Sequence, residues 1–237
     1  MKRMTRAQWI GAALFLSVFI SHAGCDNDGA APPAREGTYS VTVTNLTANQ
    51  PLSPLGVVIH LAGYTGWEIG SSASSGLEIL AEGGDAATFL AEASGNADVL
   101  STGSGSGIIG PGASGNVSLT TRQSPNLRLT CATMLVNTND AFTGIEGLSI
   151  GDLAIGESKT IYAHPYDAGT EENTETALTI PGPAAGGEGY NAQRQDRDFV
   201  SAHSGVVTND DGLATSALYE SHRFLAPVAK IVVTRTQ

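Results

Sequence analysis

Polar and apolar residues alternate over several short segments of the chain, and this period of two is typical of β-strands with one buried face. The cleanest example is Tyr39–Asn45 (YSVTVTN), which ends at a polar turn. The alternation, together with short apolar runs, predicts strands at 39–45, 55–61, 116–121, 127–137, 158–163 and 229–235. Helical periodicity is confined to Ser75–Glu82, which Gly83 and Gly84 end, and to a short segment at 86–93.

These elements predict an all-β fold, an antiparallel β-sandwich with one or two short helical inserts and long Gly-rich loops. Residues 101–115 contain six glycines but lack the Gly-Lys-Ser/Thr ending of a phosphate-binding loop. We therefore expect a mobile connection, anchored by Ile108 and Ile109. The loop at 181–189 has a similar composition and no candidate chemistry.

The N-terminus has the pattern of an export signal. Lys2, Arg3 and Arg6 precede the apolar run Trp9–Ile20, which is too short for a bilayer span. The following Ser-His-Ala-Gly-Cys resembles a bacterial lipobox, in which Cys25 receives the lipid, although His stands where Leu is usual. We therefore predict a signal peptide at 1–24 and lipidation of Cys25. Ordinary cleavage nearby, with Cys25 unmodified, is the alternative.

Residues 25–38 contain Pro, Gly and charge with almost nothing to bury, so they predict a flexible tether ahead of one domain at 39–237. Removing three basic residues with the signal peptide leaves 12 − 3 = 9 Lys and Arg against 23 Asp and Glu, a net charge of −14. Nucleic acid is excluded as a partner, because phosphate contacts require clustered basic residues. The one cysteine of the domain, Cys131, is expected to be a small core residue without a disulfide.

Two acidic stretches are the strongest candidates for a site. The first is 139–146 (NDAFTGIE) and the second is 166–171 (YDAGTE), where a glycine separates two acids and allows the chain to fold back. Between Asp140 and Glu171 the chain has six acids and one base. We expect Asp140, Asp167 and Glu171 to bind one Ca²⁺, with Glu146 as a further candidate. The alternative is that these residues are solvated loop acids or cap their own backbone.

Several segments together resemble the spondin N-terminal domain, the module shared by F-spondin and mindin. The resemblance spans nearly all of 39–235. It is carried by five segments: the opening strand and turn at 41–54, the helix at 77–85, the stretch 139–148, the stretch 166–171, where Glu171 replaces a common Asp, and the closing strand at 227–231. It implies a C2-like β-sandwich with a bound divalent cation, calcium first, and a role in extracellular adhesion or matrix contact.

The sequence thus predicts a non-catalytic binding or adhesion module of the bacterial envelope, anchored in the membrane only by its lipid, or a secreted form of it. The expected partner is an envelope or extracellular protein or glycan. Two alternatives remain open: an exported hydrolase and a purely structural envelope protein. Asp198, His203 and Ser204 supply the residue types of a hydrolase, but no Gly-x-Ser-x-Gly elbow is present.

Overall fold

The computed structural model describes residues 35–237. The predicted signal peptide, Cys25 and most of the predicted tether lie outside the described residues. The strands are β1 Glu36–Asn45, β2 Gly56–His60, β3 Val99–Ser104, β4 Ser114–Arg122, β5 Arg128–Met134, β6 Ala141–Ser149, β7 Ser158–Ala163, β8 Pro165–Asp167, β9 Ser201–Ala202 and β10 Ala229–Arg235. The helices are α1 Ser75–Gly83 and α2 Ala87–Ser94, and short 3-10 turns lie at Asn209–Asp211 and Glu220–His222.

The strands form two antiparallel sheets, in the orders β4-β1-β10-β7 and β3-β2-β5-β6-β8-β9. The first strand and the last lie side by side in the centre of the four-stranded sheet, where Val41 pairs with Val233 and Asn45 with Ala229. The prediction of an all-β antiparallel sandwich is confirmed.

The main core lies between the two sheets. In β1, Tyr39, Val41 and Val43 are fully buried while the intervening serines and threonines face outward. This explains the alternation seen in the sequence. The opposing sheet contributes Leu129 and Cys131, among others, to the same cluster. Cys131 is therefore a buried core residue, as expected.

A second core covers the other face of the six-stranded sheet. Val58 of β2 and Phe142 of β6 pack in one cluster with Leu77 and Leu80 of α1 and with Phe89 of α2. Because this sheet is covered on both faces, every residue of β2 is buried. A continuous apolar run is the sequence pattern that such a strand requires.

Helix α1 has clear local signals at both ends. The Ser74 hydroxyl accepts the backbone N–H of Leu77, which caps the N-terminus. Gly84 ends the helix in the left-handed conformation, with φ of 71°. These two signals fix the length of α1 and therefore the position of its last buried turn.

Three segments differ from the sequence-based expectation. The acidic stretch at 139–146 is mostly strand, because β6 begins at Ala141. The polar and apolar residues of β6 do not alternate, because the first half of the strand is buried on both faces. The strand also contains Gly144, where a Cβ would lie 1.9 Å from the Cys131 carbonyl oxygen. The segment 99–104 is strand β3, so the Gly-rich connection is shorter than expected. In that connection Ile109 is buried, but Ile108 is 60% exposed.

The sandwich has two distinct ends. The terminal end contains the start of β1, where Thr38 donates its N–H to the Gln237 carbonyl, and Arg122 of β4. The distal end contains Asn45 and the turn between β5 and β6. Strand β1 has ten residues and so separates the two ends by about 30 Å.

Candidate functional site

Strand pairing at the distal end brings the two acidic stretches together. Asp140 immediately precedes β6, and the neighbouring Ala141 pairs with Asp167, the last residue of β8. The backbone N–H of Ala168 also donates to the Asp140 carbonyl at 3.2 Å. The ladder between β6 and β8 therefore fixes which residues of the two stretches meet.

A tight turn after β8 folds Glu171 back toward Asp140. Gly169 lies at the centre of this turn with φ of 70°, a conformation that other residues adopt only with strain. Oδ2 of Asp140 accepts the backbone N–H of Thr170 at 2.8 Å and that of Glu171 at 3.2 Å. Asp140, Asp167 and Glu171 are thus neighbours.

These three acids are not solvent-exposed. Asp140 is fully buried, and Asp167 and Glu171 are 3% and 5% exposed. Asp167 does cap its own backbone, since its Oδ1 accepts the Gly169 N–H at 2.8 Å. Burial of several carboxylates in one place is costly unless a cation, donors or protons compensate them.

A fourth buried acid, Glu82, was not predicted as part of the site. Helix α1 buries both Glu78 and Glu82 on one face, four residues apart. Arg194 pairs with Glu78 at 2.8 Å, while no residue in the described range forms a salt bridge with Glu82. A signal was present in the sequence: Glu82 lies in the last turn of α1, where the helix dipole disfavours negative charge.

Three carboxylate oxygens of this acidic cluster, defined as Glu82, Asp140, Asp167 and Glu171, are buried without a hydrogen-bond partner among residues 35–237. They are Oε1 of Glu82, Oδ1 of Asp140 and Oε2 of Glu171. Their companion oxygens accept from neutral groups: Asn191 N–H for Glu82 and the Asn139 amide for Glu171. Buried acceptors of this kind are rare in native proteins and indicate a missing ligand or proton.

The electrostatics agree with this geometry. Burial, reinforced by the charges of Asp167 and Glu82, raises the pKa of Asp140 to about 7. Burial, followed by the charges of Glu82 and Asp140, raises the pKa of Glu171 to about 8. Burial likewise raises the pKa of Glu82. The charges of neighbouring acids therefore add to the cost that burial imposes on the ionisation of Asp140 and Glu171.

The oxygens of Asp167 are better compensated. Its Oδ2 accepts the Asn173 amide at 2.8 Å, and Arg197 Nη2 lies 3.6 Å away. The other predicted residue, Glu146, lies apart from the cluster. Its Oε1 accepts the Gly66 N–H at 3.1 Å, beneath the segment that leads to α1. The structure thus brings together three of the four predicted acids and places Glu146 elsewhere.

The described residues contain no group of three or more His, Cys, Asp or Glu side chains already arranged around a point that a metal would occupy. The three orphaned oxygens nevertheless have the chemistry that a hard cation requires, because Ca²⁺ binds carboxylate oxygens with backbone carbonyls and water. The donor types are those that calcium prefers, but the acids of the described chain do not converge on one metal position.

The residues considered for a hydrolase do not form a catalytic arrangement. Asp198 pairs with Arg194. His203 is 8% exposed, and its Nδ1 accepts the Gly205 N–H. His203 thus receives no orienting carboxylate from Asp198, as a Ser-His-Asp triad would need.

The described fold is thus an antiparallel β-sandwich with two helices on the outer face of one sheet and a cluster of buried acids at its distal end. The Spondin_N family model matches residues 44–181, more than half of the 237-residue chain. The chain belongs to the spondin N-terminal domain family. The match includes α1, the β5–β6 turn and the turn after β8. No curated protein matches the chain.

The family is one of extracellular, non-enzymatic modules, and residues 44–181 of this chain form a domain of that family. The matched region is shorter than the resemblance read from the sequence, because it ends at residue 181 and does not include β9 or β10. Among the described residues, neither helix has the length and apolar composition of a membrane span.

Proposed function

We propose that this protein is an exported, non-catalytic binding or adhesion module of the bacterial envelope, in which calcium rigidifies the distal end. The observation that carries this proposal is the set of three orphaned, buried carboxylate oxygens of Glu82, Asp140 and Glu171. Lipidation at Cys25 would anchor the module, and the tether residues before β1 would join the lipid to the domain.

Calcium is the cation that the donor set favours. The oxygens come from three elements: helix α1, the β5–β6 turn and the turn after β8. Ca²⁺ accepts six to eight oxygens in flexible geometry, so two or three carboxylates with carbonyls and water suffice. Zinc is disfavoured because no His or Cys belongs to the cluster. Asp167 would orient the turn through Gly169 and Asn173, and its charge would contribute to the site.

The role of the ion is structural. All four acids are at most 5% exposed, so a bound ion would not reach a partner on the surface. It would instead remove the repulsion between the acids and fix α1 relative to the two turns. The strand geometry also places this end about 30 Å from the start of β1, where the tether joins the domain. An anchored module would therefore hold its calcium-rigidified end away from the membrane, toward a partner.

Calcium titration monitored by thermal unfolding tests the site. We expect millimolar Ca²⁺ to raise the Tm of the mature protein above its value in chelator by several degrees, because the ion binds only the folded state. Glu171→Gln should abolish this shift, and Asp167→Ala should reduce it. Glu172→Gln is the matched control, since Glu172 is exposed and adjacent. An unchanged Tm of the wild type in Ca²⁺ would refute the calcium site.

The binding role needs a separate experiment. Immobilised mature protein is incubated with envelope extract in Ca²⁺ and in chelator, and the captured proteins and glycans are identified. Calcium-dependent capture of a defined protein or glycan is expected of an adhesin. Capture that is absent in both conditions would instead favour a purely structural envelope protein.

A further inference from the structure

A polar cavity at the terminal end lies far from the acidic cluster. Its volume is about 400 Å³, and three connections form its walls. Leu61–Gly63 follow β2, Asp98 precedes β3, and Ser124–Asn126 join β4 to β5. Arg128, the first residue of β5, lines the cavity as well. This cavity, termed the terminal cavity, lies at the opposite end of the β5–β6 hairpin from Asp140.

The terminal cavity is lined by two oppositely charged side chains, Arg128 and Asp98. Within residues 35–237, neither the guanidinium of Arg128 nor the carboxylate of Asp98 forms a salt bridge or a side-chain hydrogen bond. By contrast, Lys159, Arg194, Arg197 and Arg223 each pair with an acid. The carboxylate of Asp98 lies directly against the Gly63 backbone, where a Cβ would be only 1.7 Å from Oδ2. Gly63 thus makes room for this carboxylate at the cavity wall.

We propose that the terminal cavity binds a phosphoethanolamine group. The planar fork of Arg128 suits a phosphate, which it can bind bidentately. Asp98 accepts N–H donors from a primary ammonium. Ser124 and Asn126 supply further polar contacts, and Leu61 and Pro125 contact the short methylene linker. A neutral sugar would satisfy the polar lining but would leave both charges unpaired.

The same lining discriminates between ammonium types. Residues around the cavity include no Phe, Tyr or Trp, so the aromatic cage that recognises a quaternary ammonium is absent from its wall. Phosphocholine also has no N–H to donate to Asp98. The site should therefore prefer phosphoethanolamine to phosphocholine.

The group has two sources, a phospholipid headgroup or a free phosphomonoester. The terminal end is where β1 starts, so the chain enters the domain at this end. The headgroup of an ethanolamine lipid is therefore the source that an anchored module would meet. This last step rests on the proposed anchoring, whereas the site itself does not depend on the anchor or on calcium.

The first experiment titrates O-phosphoethanolamine, up to about 10 mM, into the mature chain with Cys25→Ser, in chelator, by calorimetry or NMR. We expect saturable binding, with phosphocholine about tenfold weaker or more. Arg128→Gln and Asp98→Asn should each weaken binding about tenfold or more, as expected for loss of a charged hydrogen bond. Arg122→Gln, which removes an exposed cation at the same end, should leave binding unchanged. The site is overturned if O-phosphoethanolamine does not bind or if phosphocholine binds with equal affinity. It is also overturned if Arg128→Gln and Asp98→Asn both bind as tightly as the wild type.

The second experiment separates the sources. The same unlipidated chain is sedimented with vesicles of phosphatidylethanolamine and phosphatidylcholine, and with vesicles of phosphatidylcholine alone. Binding only to the ethanolamine vesicles, lost in Arg128→Gln, assigns the headgroup. If O-phosphoethanolamine binds but the vesicles do not, the site is supported and the lipid headgroup is ruled out as its source. Because both experiments are run without calcium, a missing calcium site would not change their outcome.

Discussion

Asn139 donates its side-chain amide to Oε1 of Glu171 at 3.2 Å, so a neutral residue of the β5–β6 turn holds an acid of the turn after β8. Oδ2 of Asp140 is held in the same way by backbone N–H groups. At Asp140 and at Glu171, neutral donors therefore hold one oxygen of the carboxyl group. The other oxygens are left to a proton or a cation, and this choice makes the stability of the domain depend on pH and calcium.

Without calcium, we expect the free energy of unfolding to fall as pH rises from about 5 to about 8. The folded pKa values of Asp140 and Glu171, about 7 and about 8, lie above the ordinary values of 3.8 and 4.5. The folded state thus retains protons that the unfolded state has already lost, and this proton binding stabilises the folded state. The stabilisation is lost as pH rises through the folded-state pKa values. The loss should be about 2 kcal/mol or more. Urea unfolding in chelator at both pH values measures it.

Calcium provides the control for this pH dependence. A bound ion replaces the protons, so millimolar Ca²⁺ should stabilise the protein more at pH 8 than at pH 5. If the free energy of unfolding in chelator is the same at pH 5 and pH 8, the buried acids ionise without destabilising the fold. That result would contradict the prediction.

Glu175 predicts a second pH effect, independent of calcium. It is 2% exposed, its Oε1 accepts the Val207 N–H, and its Oε2 has no partner among the described residues. Burial raises the pKa of Glu175 to about 7 from 4.5. Glu175→Gln keeps an acceptor for Val207 and removes the charge. It should therefore stabilise the protein by about 1–2 kcal/mol at pH 8 and have little effect at pH 5.

The matched measurement is the urea midpoint of wild type and Glu175→Gln at the two pH values, in chelator and in Ca²⁺. The calcium-induced shift should be the same in both proteins, because Glu175 lies outside the acidic cluster. A destabilised variant at pH 8 would mean that the ionised carboxylate is compensated, contrary to the prediction.

The sequence predicted much of the fold because the sheet with one solvated face has alternating strands. The predicted strands at 158–163 and 229–235 coincide with β7 and β10. Strand β6 could not be recognised in the same way. Both of its faces are buried, and Gly144 replaces a side chain where the Cys131 carbonyl approaches. Its polar neighbours at 137–140, which are also buried, gave it the composition of a loop.

The sequence pattern identified Asp140, Asp167 and Glu171, which lie within about 30 residues of one another, but not the more distant Glu82. Asp167 and Glu171 flank Gly169, so spacing alone brought them together. Glu82 is more than 50 residues from Asp140 and reaches the cluster only because α1 packs on the six-stranded sheet. Glu146 was included by its position in the same acidic stretch, but β6 carries it away from Asp140.

Replacing Gly169 with Ala should disrupt the distal end. Its φ of 70° is costly for any other residue, and a Cβ would lie 2.3 Å from the Phe199 carbonyl oxygen. We expect a loss of about 3 kcal/mol or more, because backbone strain and steric overlap act together. Gly156→Ala is the control: φ is 84° but nothing lies within 4 Å, so only strain of about 1–2 kcal/mol applies. Urea unfolding of both variants measures this, and equal losses would contradict the predicted overlap.

Cys131 reports on opening of the main core. The thiol is fully buried between the sheets, and burial raises its pKa to about 12. Since the thiolate is the reactive form, native protein should resist a thiol reagent at pH 8 and react only when the core opens. Cys25 is the only other cysteine, so a Cys25→Ser chain reports on Cys131 alone. The labelling rate should increase with urea in parallel with unfolding, and Ca²⁺ should slow it in wild type but not in Glu171→Gln. Rapid labelling of native protein would show that the two sheets separate locally without global unfolding.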